Sequence, residues 1–170
     1  MRLACFFLFL LSVAAWPARA QENFEEDYES KKWQEVEVLL PAPPKAEALL
    51  PFYVSAATEN HFFVDSASLS VGGDGVVRYP LVVLPEGGAR NVTYEGIRCE
   101  TRERRIYASG RQDGSWSKSR RNEWVRIQDA YANRHHAALF LEYFCPVGVI
   151  VRNADEARNA LRRGGHPDKP

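Results

Sequence analysis

The sequence has little cysteine, almost no methionine and no net charge. Its 170 residues include three cysteines and one methionine, and 22 basic side chains balance 22 acidic ones. No Cys-x-x-Cys motif is present and no histidine cluster accompanies the cysteines, which argues against a zinc ribbon or a dithiol redox site. A dedicated nucleic-acid-binding protein is also disfavoured, because such proteins are usually strongly basic.

Long hydrophobic runs are equally scarce. The only substantial one extends from Leu3 to Ala15, behind the single cation Arg2, and its 13 residues fall short of the roughly 20 that a membrane-spanning helix needs. Ala18-Arg19-Ala20 supplies the small-x-small pattern of a signal-peptidase site. We therefore predict a signal peptide over residues 1–20, cleaved between Ala20 and Gln21, rather than a retained anchor.

Processing as a lipoprotein is rejected, because Cys5 lies at the start of the apolar run instead of following it, which would leave no hydrophobic segment to be cleaved off. The predicted signal peptide contains two arginines and no acid, so the remaining 150 residues hold 20 basic and 22 acidic side chains. That length is typical of one domain. No later segment approaches membrane-spanning length, so we expect a periplasmic or secreted protein without a transmembrane segment.

Two cysteines remain after this cleavage, Cys99 and Cys145. In an oxidising compartment, an even pair without a redox or metal motif predicts a structural disulfide. Closing the loop between them should stabilise the fold by on the order of 4 kcal/mol.

Composition divides the mature chain into three parts. Residues 21–50 form an arm that we expect to be loosely held, with seven acids up to residue 37 and a proline-rich stretch from Pro41 to Pro44. Residues 51–164 are predicted to form a single domain. Residues 165–170 are predicted to be a frayed tail.

Short strand-like runs separated by tight turns predict an antiparallel meander within that domain. Gly72–Gly75 indicates a hairpin turn, and it lacks both the Lys-Ser/Thr and the following helix of a phosphate-binding loop. Pro80 suggests an edge strand or a bulge in the run from Val76 to Leu84. A long strand is predicted over residues 90–103, with a bulge at Gly96.

The end of the chain has a helical rather than a strand period. Apolar residues recur at three- and four-residue steps from Ala132 to Phe144, with Asp129 or Asn133 as a possible cap and Pro146 as the stop. A second short helix is predicted over residues 153–163, ending at Gly164. The predicted fold class is therefore α+β: mainly an antiparallel sheet with a C-terminal helix packed on it and one disulfide.

A cationic segment is the strongest electrostatic feature. Residues 98–126 contain nine cations against four acids, with tryptophans interleaved. We identify a candidate surface for an anionic partner, formed by Arg98, Arg102, Arg104, Arg111, Trp116, Arg120, Arg121 and Trp124. A solvated strand face, partly neutralised by the acidic arm, is the competing and more ordinary interpretation.

No recognisable catalytic constellation, metal site or cofactor motif is present. His135 and His136 are adjacent, so on a helix they point about 100° apart and do not readily share one metal, and His61 is distant in sequence. A site assembled from these histidines and sheet carboxylates is retained as the alternative to a binding function.

Several stretches that cover most of residues 33–147 carry a family resemblance, namely Val64-Asp65, Val71–Tyr79, Asn91–Cys99, Tyr107–Arg111, Asp113–Trp116, Trp124 and Phe144-Cys145-Pro146. They resemble the cryptic-neisserial-protein-like family of small exported bacterial proteins without an established activity. The resemblance implies an exported protein, and it transfers no functional residue.

A weaker likeness to surface-adhesin protein E implies an antiparallel sheet with a packed helix and an extracellular binding role. The longer arm and the lack of a lipidation cysteine argue against surface display and adhesion. Our leading hypothesis is a non-enzymatic periplasmic binding or interaction module that meets an envelope protein or an anionic polymer. An envelope accessory whose acidic arm docks another protein is a third possibility.

The cleavage site is directly testable. When the full chain is expressed in a Gram-negative host, the exported protein should begin at Gln21, and its intact mass should correspond to residues 21–170. A product that keeps residues 1–20 would show instead that the segment is a retained anchor.

Overall fold

Eight antiparallel strands form a single sheet in the part of the chain that the computed structural model describes, residues 33–130 and 133–170. The strands are β1 Leu49–Phe52, β2 His61–Asp65, β3 Ser70–Val71, β4 Val76–Leu84, β5 Asn91–Arg98, β6 Glu103–Gly110, β7 Trp116–Lys118 and β8 Val125–Arg126. Their order across the sheet is β1-β2-β4-β5-β6-β7, while β3 pairs with β4 and β8 pairs with β6. The predicted meander is confirmed.

Three predicted features lie outside the described residues. They are the signal peptide over residues 1–20, residues 21–32 of the arm, and Ala132 of the predicted helix. The chain from Gln34 to Pro170 groups into one unit, and the sheet, the helices and the disulfide all belong to it.

Two turns decide how the central strands are divided. The glycine-rich turn joins β3 to β4 as predicted, with the Gly75 N–H donating to the Gly72 carbonyl. The strand predicted over residues 90–103 was wrong, because the chain reverses at Cys99–Arg102 and returns as β6. Arg102 has a φ of 55°, a left-handed conformation. Neither the residue type nor the alternating strand pattern around it predicts this conformation.

Pro80 was predicted to mark an edge strand or a bulge, and it marks neither. It lies opposite Tyr94 in the middle of β4, which has strands on both sides. The neighbour on the other side changes here from β2, which pairs from Leu81 onward, to β3, which pairs at Val77 and Arg78. The missing N–H of the proline therefore lies where the adjacent ladder is interrupted.

The C-terminal helices are confirmed, with a more complex course than the periodicity suggested. They are α1 Arg134–Ala138, a π-helical segment Leu139–Phe144 and α2 Ala154–Arg162, with 3₁₀ turns at Ala46–Ala48 and Pro146–Gly148. Asn153 caps α2 by accepting a hydrogen bond from the Glu156 N–H at 2.9 Å. Asn133 precedes α1 but makes no side-chain cap bond.

The main core lies between one face of the sheet and these helices. Tyr79 of β4 packs against Phe144 with ring centroids 5.2 Å apart, and Phe52 meets Tyr143 edge-on at 5.7 Å. Leu161 of α2 is buried in the same cluster. The helical period found in the sequence therefore arises from burial against the sheet.

Cys99 and Cys145 form the predicted disulfide, with Cα atoms 5.5 Å apart and a sequence separation of 46. Cys99 opens the turn between β5 and β6, and Cys145 directly follows the π-helical segment. The bond therefore ties the end of the helical layer to a turn of the sheet.

The predicted boundaries of the domain need two corrections. β1 begins at Leu49, two residues before the predicted start at 51, because the apolar pair Leu49-Leu50 belongs to the sheet. The tail is not frayed throughout, since the His166 N–H donates to the Glu142 carbonyl at 2.6 Å and the His166 side chain is buried. No helix within the described ranges is long and apolar enough to span a membrane.

Removal of the disulfide should weaken the fold without changing it. We expect Cys99→Ser/Cys145→Ser to lower the free energy of unfolding by about 4 kcal/mol in urea, because the unfolded chain regains the entropy of the open loop. The matched control is the reduced wild-type protein, which should show the same loss, while reductant should not affect the variant. Equal stability of the oxidised wild type and the variant would contradict this role.

Candidate functional site

The sheet face turned away from the helices, here called the outer face, carries charged and aromatic side chains. On β4, Val77, Tyr79 and Leu81 belong to the core under the helices, so strand alternation directs Arg78 to the outer face. Tyr94 of β5 and Tyr107 of β6 lie with their ring centroids 5.5 Å apart. Arg78 lies 5.8 Å from the Tyr107 ring centroid, which completes the group.

A register shift between β5 and β6 places Tyr107 in this group. Tyr94 lies opposite Ala108, but the next residue, Glu95, lies opposite Ile106, so Tyr107 is the extra residue. The bulge predicted at Gly96 is therefore on the neighbouring strand. A Cβ at Gly96 would lie 2.5 Å from the Tyr107 hydroxyl, so the glycine leaves the space that the tyrosine occupies.

Three side chains of the outer face converge on the carboxylate of Glu35, which belongs to the predicted arm. Arg78 Nη2 donates to Glu35 Oε1 at 3.2 Å, and the Tyr107 hydroxyl donates to the same oxygen at 2.5 Å. Arg105 Nη1 pairs with Oε2. We call Arg78, Arg105 and Tyr107 the carboxylate site.

Asp74 completes the charge balance around Arg78, because it accepts hydrogen bonds from both terminal nitrogens, at 3.1 and 2.5 Å. Burial raises the pKa of Asp74, but the hydrogen bonds and charge of Arg78 outweigh burial and lower it below its usual value. Burial, together with the hydrogen bond to Glu35, raises the pKa of Tyr107. The phenol therefore stays protonated and donates to the carboxylate.

The rest of the described arm lies against the sheet and is held there by hydrogen bonds to its backbone. The Val36 N–H donates to Asp74 Oδ2 at 3.0 Å, Trp116 Nε1 donates to the Pro41 carbonyl at 2.7 Å, and Arg90 Nη2 donates to the Pro44 carbonyl at 3.2 Å. We call residues 34–45 the docked arm. These contacts hold the docked arm against the sheet, and the acidic arm contacts the basic segment through Glu35 and Arg105.

The members of the candidate Arg–Trp set differ in their contacts with the fold. Arg98 pairs with Glu100 at 2.6 Å, the Arg102 guanidinium lies 5.4 Å from the Phe140 ring centroid, and Arg111 donates to Ser117 at 3.4 Å. Arg104 is half-buried on β6. These arginines contribute mainly to contacts within the fold.

Both tryptophans of the set also have packing roles. Trp116 holds the docked arm through Pro41, and its ring lies 6.1 Å from Tyr94. Trp124 lies edge-on to Tyr107 at 6.5 Å and 5.9 Å from the Arg105 guanidinium. Arg120 and Arg121, the remaining members of the set, are exposed in the connection between β7 and β8.

Sequence reasoning missed a buried ion pair beneath the helices. His136 Nε2 lies 2.8 Å from Glu95 Oε2, and both side chains are almost fully buried. Glu95 also accepts from Thr93 at 2.7 Å and Tyr79 at 3.4 Å. The sequence does contain a pattern that predicts this pair. Strand alternation puts Glu95 on the same face as the apolar Ile97, and a carboxylate at a core position requires hydrogen-bond or charge partners.

The three histidines of the alternative site lie in different surroundings. His136 pairs with Glu95, the His135 ring stacks on Phe62 at 5.3 Å, and His61 is exposed. His61 borders an open cleft of about 580 Å³ beside the β1–β2 loop, while His135 borders a neighbouring cavity of about 150 Å³. Within residues 33–130 and 133–170, no three metal-binding side chains cluster.

Their surroundings make both the Glu95 pair and His135 sensitive to acid, through hydrogen-bond partners for Glu95 and through burial for His135. Burial alone would raise the pKa of Glu95, but the charge and hydrogen bond of His136 and the bond from Thr93 lower it to about 2. Burial, reinforced by the neighbouring charge of His136, lowers the pKa of His135 to about 4. Each group then binds fewer protons folded than unfolded at acidic pH, so stability falls as pH falls.

We expect two steps in the pH dependence of the free energy of unfolding. His135 should cause a loss between about pH 6.5 and 4, and Glu95 a further loss of roughly 3 kcal/mol between about pH 4.5 and 2. Glu95→Gln should reduce the second step to the part that Asp74 and Glu156 contribute, and His135→Phe should remove the first, whereas the exposed control Glu100→Gln should keep both. Urea titrations across pH measure these steps, and an unchanged profile in Glu95→Gln would contradict the assignment.

Comparison with known proteins supports the resemblance found in the sequence. The model of the CNP1-like family matches residues 28–162, a range that contains the sheet, both cysteines and both α-helices. No curated protein and no solved structure shows significant similarity to the chain. Because the match covers well over half of its length, this chain belongs to the CNP1-like family.

Proposed function

We propose that this protein is an exported, non-enzymatic binding module that meets an anionic partner in the bacterial envelope. The observation that carries the proposal is a group of exposed cations at one edge of the sheet. Lys118 of β7, Arg120 and Arg121 of the following connection, and Arg126 of β8 are all exposed. We call these four residues the cationic edge.

The cationic edge makes few contacts with the rest of the fold. Among residues 33–130 and 133–170, none of its four side chains forms an ion pair with an acidic group. Both β7 and β8 pair only with β6, so they lie at the same edge. Exposed cations on an edge can attract an anionic polymer or the acidic surface of a protein.

Export is supported by the chemistry of the chain. A disulfide is typical of proteins from oxidising compartments, and the predicted signal peptide provides a route to the periplasm. The net charge near zero makes a nucleic acid a poor match as a dedicated partner. An acidic envelope protein or an anionic polymer is the partner class that the cationic edge favours.

The enzymatic alternative has less support, because it required His61, His135 and His136 to converge with carboxylates. Only His136 approaches a carboxylate, and that pair is enclosed by the core. An ion pair without access for a substrate stabilises the fold rather than supplying acid–base catalysis.

The proposal predicts binding that depends on salt and on the cationic edge. The probe is immobilised heparin, used as a general anionic polymer, with the processed protein applied at low and high salt. We expect retention at low salt that Arg120→Gln/Arg121→Gln weakens roughly tenfold or more, because each cation near an anionic surface contributes about 1 kcal/mol.

Arg162→Gln/Arg163→Gln is the matched control, since it removes the same charge from two exposed arginines at the end of α2. Retention of this control should equal that of the wild type. Equal weakening by both pairs would indicate a general charge effect and would remove the cationic edge from the proposal. Cations on edge strands also prevent those strands from pairing with the sheet of another molecule. If the cationic edge had only that role, heparin would not retain the protein.

A further inference from the structure

The docked arm contacts the outer face as a separate peptide would. Among the described residues, no backbone–backbone hydrogen bond joins residues 34–44 to the remainder of the chain, and none of these residues belongs to a strand. Its specific contacts are side-chain hydrogen bonds made by Glu35 and by the Val36, Pro41 and Pro44 backbone. The outer face therefore binds the arm through side-chain contacts, and the arm is not a strand of the sheet.

The carboxylate site is held in place by groups that do not belong to the arm. Asp74 binds Arg78 through two hydrogen bonds, and Asn122 Oδ1 accepts from Arg105 Nε at 2.7 Å. The Arg105 guanidinium also lies 5.6 Å from the Tyr107 ring centroid. Because these supports remain when Glu35 leaves, the site stays organised to accept a carboxylate from another chain.

The connection between the docked arm and the sheet is short and exposed. The 3₁₀ turn Ala46–Ala48 contains no buried residue, and firm attachment resumes where the Ala48 carbonyl accepts from the Ser66 N–H and hydroxyl. An extended segment of twelve residues reaches about 40 Å. This exceeds the radius of gyration of about 14 Å expected for a domain of this size, so an opened arm can reach a second copy.

From this arrangement we propose that two copies of the protein exchange their docked arms. Glu35 of each copy lies between Arg78, Arg105 and Tyr107 of the other, and Pro41 meets the other copy's Trp116. Every arm contact made within one chain is made again between the chains, so the exchange changes only the course of the turn at residues 46–48. Once one arm has crossed, the second binds at a high effective concentration.

The exchanged dimer is independent of the binding function proposed above. The arm contacts β4, β6 and Trp116 of β7, whereas the cationic edge consists of other residues on β7, β8 and their connection, and among the described residues none of its four side chains hydrogen-bonds to the arm. Loss of dimerisation would leave heparin retention in place, and loss of heparin retention would leave the exchange intact.

Two complementary variants test the exchange. Glu35→Lys has an intact carboxylate site but an arm that Arg78 and Arg105 repel. Arg105→Glu has an intact arm but a site that repels Glu35. When they are mixed in equal amounts, the intact arm of the second should bind the intact site of the first, and native mass spectrometry should detect a heterodimer at least tenfold more abundant than either homodimer.

The matched control mixes Glu35→Lys with the double variant Glu35→Lys/Arg105→Glu, which offers no intact arm and should give no heterodimer. If a variant fails to unfold cooperatively, the wild type alone decides the question. Sedimentation velocity up to about 1 mM should show a dimer, and ¹⁴N and ¹⁵N copies should form mixed dimers. A mixture of folded variants that stays monomeric, or a wild type that stays monomeric throughout this range, overturns the proposal.

Discussion

The burial of one guanidinium group organises the outer half of this protein. Arg78 lies in the middle of the central strand β4, and only 4% of its surface is exposed. A buried charge without compensation would be strongly destabilising. Asp74 supplies one carboxylate from the turn four residues earlier, and Glu35 supplies another from 43 residues away in sequence. The extended arm is therefore a third layer of the fold, opposite the helices, and Arg78 fixes where that layer lies.

Local sequence rules predicted the elements whose cause is local. The glycine-rich turn, the second short helix and the helical period near the end all act within a few residues, and the disulfide followed from the two cysteines that remain after the predicted cleavage. The rules failed where the cause lies across the sheet. Pro80 lies where the hydrogen bonding of β4 changes from β3 to β2, which its position in the sequence does not indicate. The reversal at Cys99–Arg102 depends on an arginine in a left-handed conformation, which composition does not indicate either.

The charged residues show the same limit more clearly. Seven acids near residues 21–37 suggested a solvated arm, but one of them, Glu35, has a partly buried side chain held by three donors. The basic segment suggested one surface, but its members divide between internal contacts and the exposed cationic edge. Net charge and spacing give no indication of which ionic side chain meets which, because Glu35 lies 43 residues from Arg78 and 70 residues from Arg105 in sequence.

The disulfide also has a consequence for the order in which the molecule can mature. The strands of the sheet are nearly all paired with neighbours in sequence, so the sheet can assemble progressively from its N-terminal side. Cys145, in contrast, follows all eight described strands. Oxidation of Cys99 must therefore wait until the last part of the chain has arrived. The bond therefore marks delivery of the chain at least as far as residue 145, because it closes only when the turn of the sheet and the end of the π-helical segment are both present.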